Sequence, residues 1–546
     1  MNPKLTIRSL GEPVCETEAA PNQTLLRAIS DAGVFLDAPC GGEGRCGKCA
    51  VTLTPPGAKT LACRTLLQED AEVDLPAAYN TQIEVHSPQN REGDRADGGA
   101  FLGIAVDIGT TTIAMHLTDI ETGLRIATAS SVNSQRIYGA DVISRIKFSA
   151  ENGHGKLTKL IREQLGALTL QLCGETGECC QNIRYITIAA NTIMQHLAAG
   201  YSPVSMGTVP FTPESLFGTE TPAWEGFPAA KDASIYYTPA ITAYVGGDVT
   251  AGLLASGLES NSQLPHPPDP DPSINSPLKS NSPPSTLNAQ LKNNSPLSSL
   301  NSQLNNILYL DIGTNGEIVL KSGDKYYCCA TAAGPAFEGA EIEMGMAAVS
   351  GAISHVMYNA ENGELKLTII GESKNTRPVG ICGSGLLDSL AVMLETGALD
   401  ETGRLTDGSR FTIYDPQTPD APEICITAND IRKLQLAKAA IAAGIQTLLH
   451  HAGLAEGDMD ALILAGGFGS FLDKNSAAKI GLIPKSLLGK TITLGNTAGE
   501  GAAMALCSQA ARQTLEAIRS RCEYIELSAN RTFNDRFIEQ MMFEAE

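Results

Sequence analysis

The stretch PCGGEGRCGKCAVTLTPPGAKTLACRT, residues Pro39–Thr65, carries four cysteines in a short span. Cys40, Cys46, Cys49 and Cys63 are separated by five, two and thirteen residues, and four glycines lie between the first and the third cysteine. An iron–sulfur cluster requires several thiolates to converge on a small inorganic core while backbone N–H groups turn inward to its sulfurs. Glycine allows the chain to fold that tightly. The four cysteines are therefore predicted to bind a 2Fe–2S cluster.

Two other interpretations of this stretch fit less well. Four cysteines can hold zinc, but zinc sites usually contain two separate Cys-x-x-Cys pairs, and only Cys46 and Cys49 form such a pair here. Gly42–Cys49 nearly matches a phosphate-binding P-loop, but Cys49 stands where a Ser or Thr would hold magnesium. The cysteine spacing instead resembles the adrenodoxin-like branch of 2Fe–2S ferredoxins, with a short final gap.

Length and charge limit the class of protein. The chain has 546 residues, enough for three or four domain-sized units, and its net charge of −21 argues against nucleic acid and anionic membrane as partners. We expect a cytoplasmic protein, because the sequence has no apolar run of signal-peptide or membrane-spanning length. In a reducing compartment the fourteen cysteines should be ligands or buried thiols, and a second cluster at Cys173, Cys179 and Cys180 stays an alternative.

Residues 1–86 are predicted to form the first domain. Strands are predicted at Lys4–Arg8, Val51–Leu53 and Glu72–Asp74, with a helix from an Asn22 cap through Ala32. A small mixed sheet with one helix resembles the β-grasp fold of 2Fe–2S ferredoxins. The polar segment that follows, residues 87–99, is predicted to be a flexible linker.

Two similar segments indicate an internal duplication: Gly103–Thr112 (GIAVDIGTTT) and Leu308–Glu317 (LYLDIGTNGE). Each predicts a β-hairpin whose turn offers backbone N–H and hydroxyl donors to phosphate, with its Asp placed for Mg²⁺ or the water around it. The candidate residues are Asp107, Gly109, Thr110 and Thr111 in the first turn and Asp311, Gly313, Thr314 and Asn315 in the second. As a lone motif, Asp-x-Gly-Thr also occurs in aspartic proteases.

A third segment, Ala461–Asp473 (ALILAGGFGSFLD), predicts an apolar strand that enters a glycine-rich turn. Gly466 and Gly467 would allow adenine and ribose to approach the backbone closely, although an ordinary strand-to-helix turn is the alternative. The three segments and their order resemble the actin, heat-shock chaperone and sugar-kinase superfamily of ATPases. This resemblance implies that ATP with Mg²⁺ binds between two lobes, residues 100–259 and 307–546.

Asp248, in the segment Ala243–Val249 (AYVGGDV), is the candidate catalytic residue. We predict that it ends a strand, where a carboxylate can order the water that attacks the γ-phosphate. Capping of the next helix is the alternative. Residues 260–306, rich in Ser, Asn and Pro, predict a disordered insertion. Thr427 and Asp430 predict a capping box at the start of a long helix.

A 2Fe–2S ferredoxin fused to an actin-like ATPase closely resembles the reductive activators of corrinoid-dependent enzymes. The resemblance is carried by CGGEGRCGKC, both Asp-Ile-Gly-Thr turns, NSQRIYGADVISRI, ATAAGPAFEGA, GSGLLDSL and ILAGGFG. It implies a multidomain α/β and α+β chain, in which a β-grasp 2Fe–2S ferredoxin domain precedes a duplicated two-lobe actin-like ATPase fold. It also implies an enzyme of anaerobic metabolism that uses ATP to pass one electron from the cluster to an inactive Co(II) corrinoid protein, restoring Co(I) for methyl transfer.

The partners that the resemblance implies are the corrinoid protein of a methyltransferase system and an upstream electron donor of the ferredoxin or flavodoxin type, with a homodimer as an open alternative. ATP is needed if the corrinoid couple lies below the cluster, because plant-type centres lie at about −400 mV and each 100 mV uphill costs about 2.3 kcal/mol per electron. Gly383, Ser384 and Gly385 are a candidate contact near cobalt, with a tight turn in the ATPase core as the alternative.

Three rival functions stay open. One is a small-molecule kinase of the sugar-kinase superfamily with a fused ferredoxin, which would require a metabolite pocket. Another is an activator of a different low-potential enzyme, such as a 2-hydroxyacyl-CoA dehydratase, although that family shares a 4Fe–4S cluster between subunits. The third is a non-enzymatic ferredoxin docked by a degenerate ATPase, which would have cluster spectra without ATP turnover.

Overall fold

The structure is a computed structural model that describes residues 2–75, 101–259, 304–371, 377–416 and 423–543. Within these ranges it leaves out residues 10, 11, 21, 33, 35, 37, 39–41, 43, 45, 46, 55, 56, 340 and 470. The predicted linker, residues 87–99, and residues 260–303 of the predicted insertion lie outside the described residues. No helix in the described parts of the chain is both long and apolar enough to cross a membrane.

Residues 2–75 form a five-stranded mixed sheet, a separate two-stranded pair of β3 and β6, and one helix. The strands are β1 (Lys4–Ser9), β2 (Glu12–Glu18), β3 (Gln23–Thr24), β4 (Ala50–Thr54), β5 (Ala58–Leu61), β6 (Leu66–Leu67) and β7 (Ala71–Leu75), and the helix is α1 (Leu25–Asp31). The sheet order is β2-β1-β7-β4-β5, and β1 is parallel to β7 but antiparallel to β2. Leu5 and Ile7 alternate with more exposed neighbours along β1 and share a core with Leu25 and Ile29 of α1. This arrangement confirms the predicted β-grasp fold.

Helix α1 begins later than the sequence predicts. Its N-cap is Thr24, whose side chain accepts a hydrogen bond from the Arg27 amide at 3.3 Å. Asn22 has a positive φ of 62°, and the next two residues are extended because they pair with β6. The predicted cap at Asn22 is therefore wrong, because strand pairing takes the residues that the first helical turn would have used.

The first lobe, residues 101–259, is a six-stranded sheet covered by helices. Its strands are β8 (Leu102–Ile108), β9 (Thr112–Asp119), β10 (Arg125–Val132), β11 (Ile183–Ala190), β12 (Glu220–Pro222) and β13 (Ser234–Tyr237). Its helices are α2 (Val142–Asn152), α3 (Gly155–Thr176), α4 (Thr192–Ala199) and α5 (Gly247–Ala255). Strands β8 and β11 are buried along nearly their whole length, as expected for parallel neighbours with both faces covered.

The second lobe, residues 304–543, begins with a strand at Asn306, so the predicted insertion ends earlier than residue 306. Its strands are β14 (Asn306–Ile312), β15 (Gly316–Ser322), β16 (Lys325–Thr331), β17 (Ala352–Asn359), β18 (Glu364–Ile369), β19 (Gly380–Ile381), β20 (Arg410–Tyr414), β21 (Ile424–Thr427), β22 (Ala461–Ala465), β23 (Thr491–Gly495) and β24 (Cys522–Tyr524). Its helices are α6 (Gly383–Glu395), α7 (Ala428–Ala452), α8 (Gly466–Gly469), α9 (Lys474–Lys479), α10 (Thr497–Cys507), α11 (Gln509–Arg521) and α12 (Arg531–Glu539). Helix α7 starts with the predicted Thr427–Asp430 capping box.

The two lobes repeat one strand order. The first sheet contains β10-β9-β8-β11-β13 and the second contains β16-β15-β14-β22-β23. In each lobe an antiparallel three-strand meander is followed by a strand parallel to its first member. This repetition confirms the predicted duplication and the actin-like fold. It also brings the ends of β8 and β14, with their Asp-Ile-Gly-Thr turns, to equivalent positions.

Helices α5 and α10 join the two lobes through small side chains. This alanine seam is a separate buried cluster made of Ala105, Ala189, Ala251, Ala498, Ala502 and Leu506. The helices approach closely: a Cβ added to Gly501 would lie 2.0 Å from the carbonyl oxygen of Ala251. The contact between the lobes therefore depends on the absence of a side chain at Gly501.

We predict that Gly501→Ala lowers the thermal unfolding midpoint, because α10 must move away from α5 to accept the new methyl group. The expected loss of stability is about 1–3 kcal/mol, the usual cost of overpacking a core. Gly489→Ala is the matched control, since an added Cβ there meets nothing within 4 Å. Equal midpoints for the two variants, measured by circular dichroism, would show that the seam tolerates the extra atom.

Candidate active site

Three carboxylates lie on the floor of the cleft between the lobes. Asp107 is near the end of β8, Asp311 is near the end of β14, and Asp248 is in the first turn of α5. Burial, together with the nearby charge of Asp311, raises the pKa of Asp107 to about 7 and that of Asp248 to about 8. Burial also raises the pKa of Asp311 to about 6. Ionising these carboxyl groups together is costly, and a nearby cation would offset their repulsion, although the three are not placed to hold a metal ion by themselves.

Asp248 is helical, so the prediction that it ends a strand is wrong. It lies in the first turn of α5, whose N-cap residue is Gly246 and has no side-chain capping bond. Its carboxylate accepts the neighbouring amide of Val249 at 2.8 Å. Asp248 is thus not the helix cap, which was the structural alternative to a role at the nucleotide.

Two buried side chains of the second lobe that sequence reasoning missed surround these carboxylates. Tyr309 donates to Asp311 at 3.5 Å and contacts the Thr497 hydroxyl of α10 at 2.8 Å. Glu317 is buried, and its burial and the charges of Asp248 and Asp311 raise its pKa well above the usual range. Glu317 lies within the second Asp-Ile-Gly-Thr hairpin, so its place directly after that turn was the available signal.

Three polar residues from other parts of the first lobe form hydrogen bonds to the first Asp-Ile-Gly-Thr turn, which we call the first phosphate turn after its predicted ligand. Asn133 donates its side-chain amide to the carbonyl of Gly109 at 2.9 Å, and Asn191 donates to the hydroxyl of Thr110 at 3.1 Å. Arg145, fully buried, donates to the carbonyl of Thr110. Burial lowers the pKa of Arg145 to about 9, so it stays a cation at neutral pH. These bonds fix the turn from three separate parts of the first lobe.

Both phosphate turns meet at one carboxylate, which sequence reasoning also missed. Thr111 of the first turn donates to Glu338 at 2.6 Å, and Thr314 of the second turn donates to the other oxygen of Glu338 at 2.9 Å. The two threonine hydroxyls lie 3.1 Å apart. The predicted residues Gly109 and Gly313 close their turns by donating to the carbonyls of Thr112 and Asn315 at 2.8 and 2.9 Å.

The predicted adenosine turn follows β22. Gly466 has a positive φ of 85°, and a Cβ there would lie 2.3 Å from a carboxylate oxygen of Asp311. Only glycine fits this approach. A Cβ on Gly467 would meet nothing within 4 Å, so its backbone borders open space that a ligand can enter. Phe468 stacks on Phe337, with ring centroids 5.5 Å apart.

The cysteine loop is described in part. Cys49 and Cys63 are buried in one core, while Cys40 and Cys46 lie outside the described residues. The amide of Ala62 donates to the carbonyl of Cys49 at 2.9 Å, which joins the backbones around the two described cysteines. The residues present fit a cluster that needs thiolates in a tightly folded loop. In the described residues no group of three or more His, Cys, Asp or Glu side chains could hold a metal ion, which gives no support to the second cluster at Cys173, Cys179 and Cys180.

The cysteine loop contacts the second lobe. Lys48, next to Cys49, donates to the carbonyls of Gly345 at 2.6 Å and Glu343 at 3.2 Å. Helix α1 contacts the first lobe through an ion pair between Asp31 and Lys156. The β-grasp domain therefore contacts both lobes.

Ser384 is buried in this conformation. It lies in the first turn of α6, and its hydroxyl donates to the carbonyl of Ser354 at 2.7 Å. A Cβ added to the preceding Gly383 would lie 1.7 Å from the carbonyl oxygen of Phe337. The Gly-Ser-Gly loop is thus a tight helix start in the ATPase core, packed against the segment that carries Glu338.

Models of known families cover most of the chain. The C-terminal domain of RACo, the ASKHA domain, matches residues 305–546, and the RACo middle region matches residues 102–261. The 2Fe-2S iron-sulfur cluster binding domain matches residues 10–68.

Individual proteins match over most of their length. The chain is 31% identical over 468 residues to the corrinoid activation enzyme RamQ of Eubacterium limosum, covering 81% of this chain and 70% of that protein. It is 25% identical over 426 residues to the [Co(II) methylated amine-specific corrinoid protein] reductase of Methanosarcina barkeri, covering 72% and 68%. The solved structure of a reductive activator for corrinoid, iron-sulfur protein is 27% identical, with a TM-score of 0.67, covering 99% of this chain and 98% of that one.

We predict that Asp248→Asn stabilises the nucleotide-free protein at pH 8. A carboxyl whose pKa is raised from 3.8 to about 8 by folding loses stability as the pH rises toward the folded value, because its ionised form is disfavoured there. The free energy of unfolding of the wild type should fall between pH 5.5 and pH 8. The variant should lose on the order of 3 kcal/mol less over the same range.

Thermal unfolding at the two pH values without nucleotide measures this difference. Asp324→Asn, at an exposed turn, is the control for loss of one negative charge. If the unfolding midpoints of Asp248→Asn, Asp324→Asn and the wild type change with pH in the same way, ionisation of Asp248 does not destabilise the folded protein.

Proposed function

The chain belongs to the family of reductive activators of corrinoid proteins, and we propose that it uses ATP to transfer one electron from a 2Fe–2S cluster to an inactive Co(II) corrinoid protein, restoring Co(I) for methyl transfer. One observation carries this proposal: Lys48 of the cysteine loop is hydrogen-bonded to the Glu343–Gly345 backbone, in the lobe that also carries Asp311 and Gly466. The cysteine loop, which would carry the electron, is thereby in direct contact with the lobe that contains part of the predicted nucleotide site.

The proposed roles follow the chemistry of each group. The proposed cluster ligands are Cys40, Cys46, Cys49 and Cys63, and the proposed nucleotide-binding residues are Asp107, Gly109, Thr110, Thr111, Asp311, Gly313, Thr314, Asn315, Gly466 and Gly467. Asp107 and Asp311 orient the magnesium ion of MgATP or its water shell. Asp248, with a pKa near neutrality, accepts a hydrogen bond from the water that attacks the γ-phosphate.

The cleft residues connect nucleotide binding to lobe movement. Thr111 and Thr314 come from different lobes, and their hydroxyls are 3.1 Å apart, so one phosphate group bound by both hydroxyls would link the two lobes. When bound, the cluster supplies one electron at low potential. We propose that the closed lobes bind the corrinoid protein more tightly when its cobalt has lost an axial ligand. Cobalt in that state accepts an electron more readily, so this preference makes the uphill reduction easier.

The partner is a corrinoid protein, and we further propose an upstream electron donor of the ferredoxin or flavodoxin type. We also propose a cytoplasmic location, because a reducing compartment keeps cysteines available as cluster ligands. We propose that these features serve a methyltransferase system whose corrinoid becomes oxidised during turnover.

We expect the reduced protein, mixed with a Co(II) corrinoid protein, to give Co(I) absorbance only when MgATP is present. Cys49→Ser should lose the cluster spectrum and the reduction together. Asp107→Asn should keep the cluster spectrum and lose ATP stimulation by about tenfold or more, because the cleft has lost a magnesium-orienting carboxylate.

Cys179→Ser is the control for the cysteine change, since this thiol is exposed and outside the predicted cluster loop. Co(I) that forms equally well without ATP would contradict the proposal. ATP-dependent phosphorylation of a small metabolite, with no effect on cobalt, would favour the kinase alternative. ATP-dependent activation of a 2-hydroxyacyl-CoA dehydratase instead of cobalt reduction would favour the other low-potential activator.

A further inference from the structure

Glu338 bridges the two phosphate turns and belongs to neither of them. It ends the 3₁₀ turn Pro335–Glu338 of the second lobe and is half-buried. One carboxylate oxygen accepts the Thr111 hydroxyl of the first lobe, and the other accepts the Thr314 hydroxyl of the second lobe. Glu338 therefore links the two turns, and through them the two lobes, by two hydrogen bonds.

These bonds compete directly with a bound phosphate. A threonine hydroxyl has a single proton to donate, so Thr111 and Thr314 cannot donate to Glu338 and to a phosphate oxygen at the same time. The carboxylate is also an anion, and a triphosphate brought to the same donors would repel it. The carboxylate of Glu338 and the terminal phosphate thus exclude each other.

We propose that Glu338 is a positioning residue that senses the γ-phosphate: it holds the two turns together without nucleotide and is displaced when ATP arrives. This proposal rests on the proposed function, because it requires ATP to bind between the turns. ADP has no γ-phosphate and leaves Glu338 in place. Glu338 therefore distinguishes ATP from ADP by the negative charge of the γ-phosphate.

The segment that carries Glu338 has contacts through which a displacement of its carboxylate would spread. Glycines with positive φ flank the 3₁₀ turn, Gly334 at 72° and Gly339 at 74°, and fix its backbone path. The ring of Phe337, next to Glu338, stacks on Phe468 of the predicted adenosine turn, and its carbonyl abuts Gly383 at the start of α6.

The same segment continues to the cysteine loop. Six residues after Gly339, the carbonyl of Gly345 accepts the hydrogen bond from Lys48. Displacement of Glu338 by ATP would thus disturb both the start of α6 and the contact between the second lobe and the cluster domain. This gives ATP, and not ADP, a physical means to change how the electron carrier is held.

The test compares the affinities of MgATP and MgADP in the wild type and in Glu338→Gln, measured by isothermal titration calorimetry on the full chain. The amide keeps the size of the side chain and can still bond to the threonines, but it carries no charge. We expect MgATP to bind about tenfold more tightly to the variant, with MgADP affinity nearly unchanged. Glu338→Asp keeps the charge, so its ATP-to-ADP affinity ratio should stay near that of the wild type.

Glu361→Gln, on the exposed β17–β18 turn, is the matched control and should leave both affinities unchanged. An unchanged ATP-to-ADP ratio in Glu338→Gln overturns the sensor, as does a similar ratio change in Glu338→Asp, which would indicate loss of shape and not of charge. If the wild type binds neither nucleotide, the proposed function fails. If it binds both and the variant ratio is unchanged, only the sensor fails.

Discussion

The burial of three neighbouring carboxyl groups away from water is the constraint on which the site depends. Asp107 and Asp311 come from equivalent strand ends of the two lobes, and Asp248 comes from the helix beside them. Their raised pKa values show that burial disfavours the ionised form of each carboxyl group. Ionising them together therefore costs stability in the folded chain.

The chain combines two tasks that meet in one segment. The two-lobe ATPase part binds nucleotide, and the β-grasp domain carries the electron. Residues 335–346 contact the phosphate turns through Glu338 and the cysteine loop through Gly345. A chain that only stored an electron would not require this connection, whereas a chain that drives an unfavourable reduction requires nucleotide state and cluster position to be linked.

Local motifs made much of this structure predictable. The Asp-Ile-Gly-Thr hairpins, the glycine turn after β22 and the Thr427 cap each depend on a few adjacent residues, so the sequence carries them directly. The motifs NSQRIYGADVISRI and ATAAGPAFEGA contain Asn133, Arg145 and Glu338, but the roles of these residues and of Asn191 could not be predicted, because each role arises from a contact with a distant part of the chain. The errors at Asn22 and Asp248 have a related cause: strand pairing and helix packing overrode a local pattern.

The alanine seam between α5 and α10 determines how the lobes can move. The backbones of the two helices approach closely there, so any rotation of one lobe against the other has to keep α5 and α10 in contact. The seam is then the pivot of the molecule, and the hydrogen bonds of Glu338 set the angle between the lobes. Because the β-grasp domain contacts both lobes, a rotation about this pivot would change its two contacts together.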